Sequence, residues 1–139
     1  MTFWDSSALT PLCVSEADSS LREMQFRADP RIFVWYGTRV EIESALIRKK
    51  REGLLDQRSE AEVRRKLAIL ELGWVEVAPT RQVRDRSLRL LRTHPLRSAD
   101  AFQLAAALVA CGERPAGSGF RTGDIRLRIA AEAEGFAAS

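Results

Sequence analysis

Short apolar runs alternate along this chain with longer stretches in which apolar residues return every three or four positions, the signature of strands interleaved with helices. Thr2–Trp4 is an apolar run that leads straight into Asp5, and Ser6–Val14 follows as a short helix disturbed by Pro11. Glu16–Arg27 is amphipathic, with Ala17, Leu21, Met24 and Ala28 at helical spacing, and Asp29-Pro30 breaks it. Arg31–Tyr36 (RIFVWY) is a continuous β-branched and aromatic run, the clearest strand, closed by Gly37. Thr38 then caps a helix that runs to about Glu52, with Val40, Ile42, Ala45 and Leu46 as its apolar stripe and Gly53 as its stop.

Ser59–Leu72 is the next helix, and Trp74–Ala78 (WVEVA) alternates like a strand until Pro79. Arg81–Thr93 is an arginine-studded helix, His94-Pro95 a loop, and Ser98–Cys111 an alanine-rich helix. The loop ERPAGSGFRTGD holds a weak strand at Gly119–Thr122, Ile125–Gly135 is the last helix, and Phe136 begins a brief final strand. No repeat or linker interrupts the pattern. The alternation predicts a single α/β domain over residues 1–139, a three-layer α/β/α sandwich around a short, mostly parallel sheet.

In an open parallel sheet the ligand site lies outside the carboxyl ends of the strands. Four acids fall there. Asp5 follows the first strand, and Glu41 lies in the first turn of the helix after the second. Asp100 opens the alanine-rich helix, and Asp124 follows the weak strand. Each has a local alternative. Asp5 and Asp124 can cap the helices behind them. Thr38-Arg39-Val40-Glu41 reads as a capping box. Asp100 suits the start of a helix capped by Ser98. The expected gathering on one edge favours a shared role: carboxylates in one cleft repel unless protons or a cation compensate. An oxygen-only donor set suits Mg2+ or Mn2+ rather than zinc.

Composition narrows the classes. At 139 residues, 45% hydrophobic and 29% charged, the chain suits one soluble globular domain. No apolar run approaches the roughly 20 residues of a membrane span. The opening MTFWDSSALTPL lacks the basic and apolar regions of a secretory signal. Cys13 and Cys111 match no metal spacing and make a poor disulfide framework, so they read as buried thiols of a cytoplasmic protein. The net charge is +3 and the isoelectric point about 9.3. The positive charge is clustered at Arg48–Arg51, at Arg64–Lys66, and at Arg81, Arg84, Arg86, Arg89 and Arg92 on one helix. These clusters are either solvated faces or phosphate-attracting ones. In the second case Arg81, Arg89 and Arg92 are the expected RNA contacts.

FWDSSAL at 3–9, TRVEIESAL at 38–46, LRSADAFQLAAAL at 96–108 and FRTGDIRLRIAAEAEGF at 120–136 resemble, in order, the four motifs of PIN-domain ribonucleases, and most of all the VapC-type toxins of toxin–antitoxin pairs. Ser118 and Arg121 interrupt the apolar character that the segment before Asp124 usually has in that family. The resemblance implies metal ligation and catalysis by Asp5, Glu41, Asp100 and Asp124, with Ser6 and Thr122 supporting the ligands. It also implies Mg2+- or Mn2+-dependent RNA cleavage, a VapB-like antitoxin partner and a homodimer. Glu43, two residues from Glu41, points to another helix face and is expected to pair with Arg39. His94 is expected to be structural, and Trp4, Trp35 and Tyr36 to be core. Two other readings remain at this point. A receiver-type phospho-acceptor domain would need an acidic pair at the first strand and a late lysine, whereas no lysine follows Lys66. A non-catalytic RNA-binding module would have to carry acids that repel phosphate.

Overall fold

The computed structural model describes all 139 residues. Five short strands, β1 (Thr2–Trp4), β2 (Phe33–Trp35), β3 (Val75–Val77), β4 (Gly119–Arg121) and β5 (Ala137–Ala138), form one all-parallel sheet in the order β3-β2-β1-β4-β5. Seven helices connect them: α1 (Ser6–Cys13), α2 (Ser19–Ala28), α3 (Thr38–Arg51), α4 (Gln57–Gly73), α5 (Arg81–Thr93), α6 (Ser98–Ala110) and α7 (Ile125–Ala133).

The two-residue period of a strand sorts the layers. Phe3, Trp35 and Phe120 face one side, where they pack with α5, α6 and α7. Trp4 and Val34 face the other and pack with α1, α3 and α4. The result is the expected three-layer α/β/α sandwich. Phe3 stacks on Phe120 at 5.4 Å between ring centroids. Burying each such side chain stabilises the fold by roughly 1.5–3 kcal/mol. Ala101, Ala105, Ala106 and Ala107 are fully buried, which lets α6 pack against β2, β3 and α5.

Several local expectations are corrected. Strand pairing covers Phe33–Trp35 rather than Arg31–Tyr36, and Tyr36 is exposed rather than core. The Glu16–Arg27 stripe does not face inward. The helix begins at Ser19, Leu21 and Met24 are exposed, and the buried side chain is Arg22. Its guanidinium is satisfied by Asp18, Gln25 and the Thr122 and Ser139 carbonyls, so a charged residue occupies the inner face. The residue preceding α3 is Gly37, not Thr38, and the one preceding α6 is Arg97, not Ser98; neither makes a side-chain cap. Pro11, which removes one helical hydrogen bond, is accommodated two residues before α1 ends.

Candidate active site

The chain builds β1, β2 and β3 to one side, then returns to place β4 on the far side of β1. The boundary between β1 and β4 is therefore the topological switch point, where α/β sheets open a crevice. Asp5 and Thr122 sit on that boundary, each one residue past its strand. The Asp5 N–H donates to the Arg121 carbonyl at 3.0 Å and carries the pairing beyond the strand ends.

Asp5 is 4% exposed, and its two oxygens have different tasks. Oδ1 accepts from the Ser7 and Ala8 N–H groups and from Ser7 Oγ, so the capping reading is correct for this oxygen. Oδ2 accepts only from Thr122 Oγ1, at 2.7 Å. Every donor is neutral. Burial pushes the Asp5 carboxyl up to about 6, against the pull of those hydrogen bonds.

Glu41 does not close a capping box. Its Oε2 accepts from Ser6 Oγ at 2.7 Å and from Gln103 Nε2 at 3.0 Å, while the Thr38 hydroxyl turns to Gln103. Asp100, in the first turn of α6, accepts from no side chain. Burial and the neighbouring Asp124 carboxylate raise its pKa, against a lowering by the Arg97 backbone N–H and by the charges of Arg97 and Arg126. Asp124 caps α7 through one oxygen, which accepts from the Leu127 N–H at 3.0 Å.

Two cavities open at this edge. One, of about 550 Å³, holds Asp100 and Asp124 together with Arg97 and Arg126. The other, of about 390 Å³, holds Ser6, Glu41, Arg48 and Lys49. Ser7 lines the second and Gly123 the first, and the Gly123 N–H donates to Ser7 Oγ at 2.7 Å, so the cavities adjoin across that bond. No three Asp, Glu, His or Cys side chains converge on a point that one ion could share. Asp5 Oδ1 and one Asp124 oxygen are taken up by helix starts, and Glu41 is turned to Ser6 and Gln103. In kind and charge the donors fit a hard divalent cation: they are all oxygens, and no lysine or arginine hydrogen-bonds any of the four acids.

Three further residues belong to this edge. Ser7 ties Asp5 to the loop after β4. Gln103 is buried and orients Glu41; a lone amide in the run AFQLAAAL was its signal. Arg22 donates to the Thr122 carbonyl at 2.7 Å, a role that no helical pattern announces.

Other assignments separate clearly. Glu43 pairs with Arg39, as expected, and also with Arg64; those hydrogen bonds hold its carboxyl down to about 2. His94 is structural, its Nε2 lying 2.7 Å from Glu134 Oε1. Trp4 and Trp35 are buried as expected. Arg89, expected to contact RNA, is half-exposed, and both of its terminal nitrogens donate to Glu134, so its guanidinium is paired within the fold's surface. Arg81 and Arg92 are exposed and unpaired, but neither lines the two cavities at the acidic edge.

No family model matches the chain, and no curated protein matches it. The structure is similar to the crystal structure of PAE2754 from Pyrobaculum aerophilum, with a TM-score of 0.65 over 93% of this chain and 83% of that one, at 19% sequence identity. No helix is long and apolar enough to cross a membrane. At that identity the likeness is one of fold.

Proposed function

We propose that this protein is a metal-dependent endoribonuclease of the PIN-domain, VapC-like type. In this reading it is the cytoplasmic, homodimeric toxin of a toxin–antitoxin pair, with a VapB-like antitoxin as its protein partner. One observation carries the catalytic part. Four carboxylates lie at the carboxyl edge of a parallel sheet, and hydroxyl, amide and backbone groups hold them while no basic side chain hydrogen-bonds or ion-pairs with them. Carboxylates kept in this way raise the local demand for a cation.

Asp5 Oδ2, Asp100, Asp124 and Glu41 would hold Mg2+ or Mn2+ at the switch point only by drawing together around the ion, since no three of them converge on one point without it. The bound ion supplies Lewis acidity to the scissile phosphodiester and the attacking water. Thr122 fixes the direction of Asp5 Oδ2, and Ser6 and Gln103 fix that of Glu41. Outer groups of this kind typically contribute 10–100-fold to metal affinity or activity. Arg81 and Arg92, open to solvent, add sequence-independent attraction for RNA.

A paired substitution tests the reading. Glu41→Gln is expected to abolish Mg2+-dependent cleavage of RNA. Glu43→Gln, which disturbs only the pairing with Arg39 and Arg64, keeps most of it. A dead Glu43→Gln beside an active Glu41→Gln would show that the cleft faces the other side of α3.

A further inference from the structure

The cavity beside Asp100 and Asp124 contains a second pair of groups. The first turns of α6 and α7 wall it, and each wall carries one aspartate and one arginine: Asp100 with Arg97, and Asp124 with Arg126. Both arginines lie within electrostatic reach of Asp100 and lower its pKa. Neither forms an ion pair or side-chain hydrogen bond with the two carboxylates, although all four side chains share the cavity of about 550 Å³. This contrasts with Arg39, Arg64, Arg86 and Arg89, each of which is tied to a glutamate. Arg97 and Arg126 are exposed, with all their guanidinium donors open.

An open guanidinium presents a planar fork of donors that matches two oxygens of a phosphate. Aspartates that attract a cation repel a phosphodiester. An RNA backbone brought to this wall therefore needs local positive charge from the protein, and these two arginines supply it where the cavity is acidic. Arg48 and Lys49 lie on the Glu41 side, and Lys49 is paired with Glu16.

We infer that Arg97 and Arg126 bind the RNA backbone phosphates next to the acidic edge, holding the strand over Asp100 and Asp124. The assignment rests on the nuclease reading for the identity of its ligand. It makes the two residues determinants of substrate binding rather than of the bond-breaking step.

The test compares two double variants that remove the same charge. Arg97→Ala/Arg126→Ala empties the cavity wall. Arg114→Ala/Arg128→Ala removes two exposed, unpaired arginines outside it. Binding of a fluorescent single-stranded oligoribonucleotide is followed by anisotropy in EDTA across a salt series, and cleavage is followed with Mg2+. The cavity variant is expected to bind roughly tenfold or more weakly, with its log–log salt slope reduced by about 1.4 for two lost single-strand phosphate contacts. Its KM rises by a similar factor while kcat stays within about threefold. The control pair changes both slope and affinity far less. Equal losses in the two variants would reduce the arginines to general surface charge and overturn the assignment, as would unchanged binding. A wild-type protein that binds RNA through these arginines but cleaves none would sink the nuclease reading instead. Wild-type cleavage with an unaffected cavity variant would sink only this inference.

Discussion

Asp5→Asn is expected to make the metal-free protein more stable near neutral pH while removing RNA cleavage. Asparagine keeps the cap on α1 through its carbonyl oxygen, and its amide can donate to Thr122 Oγ1. What disappears is a buried negative charge with no cationic partner. The sign follows from linkage. The folded carboxyl titrates at about 6 and its ordinary value is 3.8. Between those values the folded state binds more protons than the unfolded one, so wild-type stability falls as pH rises from about 4 to about 6 and stays lower above it. A shift of this size corresponds to about 3 kcal/mol at most. The variant should show no such decline from this site. Chemical denaturation in EDTA at several pH values measures it. Cleavage should fall on the order of 100-fold or more, because the residue at the centre of the switch point is a proposed ligand. A variant that is less stable at pH 7.5 and still active would mean that Asp5 only caps a helix.

Asp100→Asn carries the second large effect. If the carboxylate merely complemented the dipole of α6, the variant would lose about 0.3–1 kcal/mol and remain active. Burial and Asp124 instead raise the Asp100 pKa, so its charge is disfavoured in the folded, metal-free protein above its ordinary pKa. Removing that charge should leave the EDTA-treated protein as stable as wild type or more so. Excess Mg2+ should then raise the melting temperature of wild type far more than that of the variant, since the ion stabilises only a state that binds it. Cleavage should be lost. Thermal melts with and without Mg2+, beside a cleavage assay, separate the two accounts because they predict opposite signs.

The parts of this edge that were legible in the sequence are those that depend on chain direction. A strand that runs into Asp5 and a strand that runs into Thr122 and Asp124 must end at the same edge once the sheet is parallel. The alternation of strands with helices reveals that parallelism. The parts that were hidden depend on what meets across the fold. Arg22 looks solvent-facing because helical periodicity counts arginine as polar; the distant carbonyls of Thr122 and Ser139, with Asp18 and Gln25 on its own side of the chain, make its burial tolerable. Thr38 looks like a cap because Glu41 stands three residues later. Gln103, 62 residues beyond Glu41, takes both partners and leaves the local motif unformed. Arg89 looks like its neighbours on α5, and its commitment to Glu134 45 residues away leaves no local trace. Tyr36 continues an aromatic run, yet it lies one residue past β2 and faces solvent. Charge and aromatic content were thus readable, and long-range pairing was not.

The central claim is that this acidic edge cleaves RNA through a divalent ion. Purified wild-type protein, stripped with EDTA and mixed with single-stranded RNA, tests it most directly. No cleavage is expected in the chelated sample, cleavage on adding Mg2+ or Mn2+ in excess, and none under the same conditions with Asp5→Asn. Undiminished cleavage in EDTA, or equal cleavage by Asp5→Asn in Mn2+, would contradict it.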